Sequence, residues 1–232
     1  MKYICLLTLA LLSNTCKKNE SSNFTLNESI QKETITASTS RESVIENVVV
    51  DDTTFVNLKD YSQDFVYDMK YATEDNFLKA KVYDCAECYL RLKTVQELVE
   101  ANKSFMKQGY RIKLFDCYRP LDIQKRMWKI VSNPKYVADP AKGSIHNRGG
   151  AVDLTLVDAD GNELNMGTTF DYFGIEASHN YLKLDNQVIK NRKLLKGIMQ
   201  KHNFNIFESE WWHYNLNNTS ADKLSNFKWK CD

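Results

Sequence analysis

Between Ala151 and Val157 the chain alternates without a break: Val152, Leu154 and Leu156 fall on one side of an extended backbone, Asp153 and Thr155 on the other. Successive side chains of a strand point to opposite faces, so this segment predicts a strand with one apolar face and one polar working face. The preceding residues, Gly143-Ser144-Ile145-His146-Asn147-Arg148-Gly149-Gly150, form a loop that runs straight into it. The imidazole of His146 and the carboxylate of Asp153 can therefore converge in front of a sheet.

The flanking segments supply the cover. Leu92, Val95, Leu98, Val99, Ala101, Phe105 and Met106 recur at helical spacing, and the pattern stops at Gln108-Gly109. Residues 112–115 read as a short apolar strand, Asp116-Cys117-Tyr118-Arg119-Pro120 ends it, and 121–131 read as a second helix with Pro120 suited to its first turn. Asp158-Ala159-Asp160-Gly161 closes the alternating strand as a turn, 188–202 predict a third helix, and 210–216 a final aromatic-rich strand. There is no regular strand-helix repeat, which points to an α+β fold: a single domain with a central antiparallel sheet flanked by helices.

The N-terminus reads differently. Lys2, the apolar run Ile4 to Leu12 and the small polar Ser13-Asn14-Thr15 precede Cys16, a secretory signal too short to span a bilayer. A cysteine at that point looks like a bacterial lipoprotein cleavage site, so residues 1–16 are expected to be a signal peptide and Cys16 a lipid-anchored, membrane-bound N-terminus in the cell envelope. The bulk and polarity of Ser13-Asn14-Thr15 leave simple secretion with cleavage nearby as the alternative, and either way the protein is exported. Residues 17–52 are rich in Ser, Thr, Asn and Glu and poor in large apolar side chains, as expected of a flexible polar tether. Residues 53–232 are left as the folded domain. Removing the signal takes away one cation, so 31 − 1 = 30 Lys and Arg face 30 Asp and Glu. That balance excludes nucleic acid as a partner.

The chain has four histidines, His146, His179, His202 and His213. Two imidazoles, a carboxylate and an open fourth position make a catalytic zinc site, and a nearby carboxylate that is not a ligand can accept a proton. His146, Asp153 and His213 are the candidate ligands and Glu210 the candidate base. A strictly extended strand puts Glu210 and His213 on opposite faces, so a turn or bulge must lie between them. On spacing alone, His213 reads equally as a satisfied strand histidine and Asp153 as a buried hydrogen-bonding group.

Ser144 to Leu156 and Glu210-Trp211-Trp212-His213-Tyr214 resemble the zinc D-alanyl-D-alanine dipeptidases, the type known from vancomycin resistance. Asp116-Cys117-Tyr118-Arg119-Pro120, Lys70-Tyr71-Ala72-Thr73-Glu74-Asp75-Asn76-Phe77, Met166-Gly167-Thr168-Thr169-Phe170-Asp171 and Ser178-His179 match further segments of the same family, in order, from about Phe65 to Tyr214. The resemblance implies a Hedgehog/D,D-peptidase-like fold and hydrolysis of a small D,D-dipeptide in peptidoglycan metabolism. By position it implies one Zn2+ on His146, Asp153 and His213, with Glu210 as general base and acid and Arg119 stabilising the transition state. It also implies that Asp171 and Ser144 bind the substrate's free ammonium. The chain departs from the family at Cys117, where glycine is common, and at Ile145, where a second serine can occur.

Cys85-Ala86-Glu87-Cys88 has redox or metal spacing but no second such pair to complete a structural zinc site. In an exported protein Cys85, Cys88, Cys117 and Cys231 are expected to form disulfides, in one of three connectivities. His179 and His202 read as structural or surface groups, and at least one of Trp211 and Trp212 as core.

Overall fold

The computed structural model describes residues 51–231. The expected signal peptide, Cys16 and the tether up to residue 50 lie outside the described residues.

A small antiparallel ribbon opens the domain, β1 (Phe55–Asn57) pairing, as the chain returns, with a strand at Tyr89–Arg91. Between them lies β2 (Val66–Tyr67), and the returning strand is β3. Helix α1 (Leu92–Met106) follows β3 directly and buries Leu92, Val95, Leu98, Ala101 and Phe105 along one stripe. Asn102, on the same stripe, is satisfied: its Oδ1 accepts from the Ile112 N–H at 2.8 Å and its Nδ2 donates to the Asp64 carbonyl at 3.1 Å. Then come β4 (Arg111–Asp116), α2 (Leu121–Ile130), β5 (Ala151–Val157), α3 (Asn186–Lys201), β6 (Phe204–Phe207) and β7 (Glu210–Leu216). Pro120 occupies the N-cap of α2 rather than its first turn.

The main sheet has the order β2-β4-β5-β7-β6. Its last four strands are antiparallel, as expected, while the two-residue edge strand β2 pairs parallel to β4. Val152, Leu154 and Leu156 form one core with Ile112 and Leu114 of β4, Val95, Leu98 and Phe105 of α1, and Leu195 and Met199 of α3. A second, smaller core gathers Tyr71, Leu78, Val82, Tyr83, Met127 of α2 and Val137.

All seven residues of β5 are buried. The polar face is therefore no solvent surface: loops bearing Tyr71, His146 and Asp171 close over it and leave a cleft. Gly149 ends the short helical turn His146–Arg148 at φ 73°, and a Cβ there would sit 2.5 Å from the Phe55 ring. Neither the backbone angle nor the space suits another residue. Disulfides join Cys85 to Cys231 and Cys88 to Cys117, so the CxxC cysteines pair with distant partners.

Candidate active site

Two irregularities in the sheet build the site. In β4, Leu114 opposes Leu154 but Asp116, not Phe115, opposes Asp153, so one extra residue bulges between them. Directly opposed residues share a face, and the bulge thereby turns Asp116 toward the side of Asp153. In β7, Tyr214 opposes Ile206 and Glu210 opposes Phe207, which leaves residues 211–213 without a partner on β6. This distortion is the one that the sequence required between Glu210 and His213. Trp211 and Trp212 are both buried because both faces of the sheet are covered: Trp212 lines the cleft, and the Trp211 indole N–H donates to the Thr168 hydroxyl at 2.8 Å.

His213 lies directly opposite Asp153 in the β5–β7 ladder. Its Nδ1 is 2.9 Å from Asp153 Oδ1 and 3.2 Å from Nε2 of His146, which is itself 3.4 Å from the same carboxylate oxygen. The outer nitrogens are engaged: His146 Nδ1 donates to the Cys117 carbonyl at 2.7 Å, and His213 Nε2 donates to Oδ1 of Asn215 at 2.9 Å. A neutral imidazole that donates through one nitrogen presents a lone pair at the other. Two lone pairs and a carboxylate oxygen, all within 4.8 Å of one another, thus face a common point. Nitrogen and oxygen donors in that number, with ring orientations fixed from behind, fit a zinc ion.

Burial alone would raise the Asp153 carboxyl, but the facing imidazoles, His146 foremost, hold it below the ordinary carboxylate range. Burial is the largest single influence on His213 and lowers its basicity, but Asp153, Glu210 and Asn215 together outweigh it and the net shift is upward. Glu210 is raised chiefly by burial. Asp171 is pushed well above the carboxylate range by burial and then by the charge of Asp153, against the pull of the Tyr71 hydroxyl, which lies 3.2 and 3.0 Å from its two oxygens. Asp171 also adopts φ 59°, a left-handed conformation in a residue with a Cβ. Strain of that kind persists where surrounding structure over-determines it.

Arg119 is fixed on three sides. Its Nη2 meets Asp116 Oδ2 at 2.6 Å, Nη1 donates to Gln124 Oε1 at 3.0 Å, and the guanidinium lies 5.3 Å from the centroid of the Tyr71 ring. Asp116 takes a further bond from the Tyr83 hydroxyl at 2.8 Å. Burial disfavours the charged guanidinium, but the Asp116 charge and hydrogen bond together with Tyr83 and Tyr71 more than offset it, so Arg119 stays protonated.

All seven residues singled out from the sequence, Arg119, Ser144, His146, Asp153, Asp171, Glu210 and His213, line one cleft of about 290 Å³. His202 lies apart, 2.8 Å from the Ser104 hydroxyl. His179 does not line that cleft either; its backbone N–H donates to the Glu208 carbonyl at 3.0 Å. Sequence reasoning missed Asp116, Gln124 and Asn215 as supports and Tyr71 as a lining residue. Asp116 and Tyr71 stood inside recognisable segments, but their roles follow from partners distant in sequence.

An α+β domain whose cleft combines this donor set with a buried carboxylic acid and a clamped arginine has the make-up of a metallopeptidase. Residues 51–229 match the model of peptidase family M15, described as D-ala-D-ala dipeptidase. The chain belongs to that zinc-dependent family of peptidases. It is 35% identical over 182 residues to a D-alanyl-D-alanine dipeptidase of Escherichia coli (strain K12), covering 78% of this chain and 94% of the relative. It is 30% identical over 174 residues to one of Enterococcus faecium and 31% over 171 residues to one of Enterococcus faecalis, each alignment covering 65% of this chain and 85% of the relative.

Proposed function

We propose that this protein hydrolyses D-alanyl-D-alanine to free D-alanine, with one zinc ion held by His146, Asp153 and His213. The observation that carries the reading is the shared cleft, onto which the three donors open together with Glu210, Arg119, Asp171 and Ser144. When bound, zinc supplies Lewis acidity and brings the pKa of water down to about 7. Glu210, buried enough to hold a proton more readily than a surface glutamate, takes one from the attacking water and returns it to the leaving amine. Arg119, immobilised by Asp116 and Gln124, presents a fixed positive charge to the carbonyl oxygen as that oxygen becomes anionic.

The far end of the substrate is read by Asp171 with Ser144. A carboxyl kept above its ordinary pKa by burial and a like charge ionises when a cation arrives beside it, so an ammonium is the complementary partner. Tyr71, on the same carboxyl, holds it in place. Blocking the substrate's amino group removes that cation. The same reading makes the protein an exported one, tethered by residues 17–52 to a lipid anchor at Cys16, and its substrate a product of cell-wall metabolism.

The test is hydrolysis of D-alanyl-D-alanine by the purified protein, with chelator, with zinc restored, and beside L-alanyl-L-alanine and an N-acylated D,D-peptide. Zinc-dependent turnover of the free D,D-dipeptide alone supports the assignment. Turnover of the N-acylated peptide instead makes it a carboxypeptidase, and no turnover by folded, zinc-loaded protein makes it a binding protein.

A further inference from the structure

The Cys88–Cys117 disulfide stands directly behind the candidate metal centre. Cys117 is fully buried, and its carbonyl oxygen is the acceptor for His146 Nδ1 at 2.7 Å. That bond fixes the tautomer that turns His146 Nε2 toward Asp153 and His213. Two residues on, the Arg119 N–H donates to the carbonyl of His146 itself at 3.1 Å. The segment from Cys117 to Arg119 is therefore latched to the ligand-bearing turn at both ends, and it also delivers the arginine.

Nothing regular holds this segment. β4 ends at Asp116 and α2 begins at Leu121, so residues 117–120 belong to no ladder or helix. Two ties connect it to the β1–β3 ribbon: the Tyr118 N–H to the Tyr89 carbonyl at 3.0 Å, and the disulfide to Cys88, whose own carbonyl accepts from the Leu58 N–H at 2.9 Å. The disulfide is the covalent one of the two, and it anchors the residue whose oxygen orients the histidine.

We infer that the Cys88–Cys117 disulfide is a positioning element for the metal ligand His146, through the Cys117 carbonyl, and that breaking it lowers zinc affinity while leaving the fold in place. This rests on the zinc reading above. The Cys85–Cys231 disulfide is a built-in control, since it closes a span of 146 residues without contributing any group to the three-donor cluster.

The experiment uses the full chain with Cys5 and Cys16 replaced by serine, so that no other thiol competes for metal. Zinc affinity is measured by competition with a chromophoric chelator for this parent, for Cys88→Ser/Cys117→Ser and for Cys85→Ser/Cys231→Ser. Replacing groups that orient a metal-bound histidine costs 10–100-fold in affinity, and a loss of about tenfold is expected for the 88/117 pair. No loss is expected for the 85/231 pair. Equal affinity in all three proteins overturns the inference, as does an equal loss in both variants. A parent that binds no zinc overturns the metal site itself.

If the 88/117 variant does not fold, the Cys85→Ser/Cys231→Ser protein is titrated with a phosphine. Each reduction converts the one remaining disulfide to two thiols while the phosphine takes oxygen from water and becomes its oxide. Zinc captured by the chelator must then rise with thiol content while the circular dichroism stays constant. Zinc retained by fully reduced, folded protein refutes the role.

Discussion

Asp116 Oδ2 and Arg119 Nη2 meet at 2.6 Å in a buried ion pair, three residues apart across the break between β4 and α2. The bulge in β4 puts the carboxylate there, and among the described residues no other carboxylate lies within ion-pair distance of the arginine. Breaking such a pair by removing one charge leaves the other uncompensated and costs about 3–5 kcal/mol. Asp116→Asn is therefore expected to lower stability in urea by about that amount and to reduce turnover as Arg119 loses its fixed position, whereas an exposed change such as Asp75→Asn moves neither. Urea unfolding beside a dipeptide assay checks both parts.

Glu210→Gln keeps the shape of the cleft and removes the proton acceptor. Turnover of D-alanyl-D-alanine is expected to fall by about 10²-fold or more, with KM and zinc content close to the parent's. A variant with full kcat would exclude Glu210 as the base.

Asn215 is the simplest test of the metal site from the β7 side. Its Oδ1 receives the His213 Nε2 proton, and Asn215→Ala frees the ring to take the other tautomer or to rotate. Zinc affinity is expected to fall by about 10–100-fold, read by chelator competition. Unchanged affinity would mean that the bulged strand alone orients His213.

His179 makes a pH prediction. Burial first, and then the charges of Lys196 and Arg192, hold its imidazole down at about 4 against an ordinary 6.5. The unfolded chain takes up a proton below 6.5 that the folded chain refuses, so this residue's effect is absent above pH 6.5 and destabilises progressively down to about pH 4. His179→Asn is expected to flatten the fall of Tm across that window relative to the parent. Parallel Tm profiles for the two proteins would contradict the assignment.

What could be read from the chain beforehand follows from range. Helices α1 and α3 and strand β5 carry their own periodicity over seven or more residues, and the expected bounds fall within two residues of the observed ones. β2 has two residues and β1 and β3 three each, too few for alternation to register, and β1 finds β3 more than thirty positions away. The same holds in the cleft. His146, Asp153, Glu210 and His213 belong to two contiguous motifs whose chemistry is local. Asp116 and Asn215 act only through what folding brings beside them, and the β4 bulge that re-aims Asp116 leaves no mark in the composition of Leu114-Phe115-Asp116.

The direct opposition of Asp153 and His213 has a consequence for folding fidelity. A strand slipped by one residue presents its other face, so a misregistered β7 would set Trp212 or Tyr214 across from Asp153 in place of the imidazole. Such a pairing could still bury aromatic rings, and apolar contacts alone would discriminate weakly against it. An ion that needs both imidazoles discriminates strongly, because it rewards only the correct pairing. Metal binding would in this way act as a proofreading step on strand register.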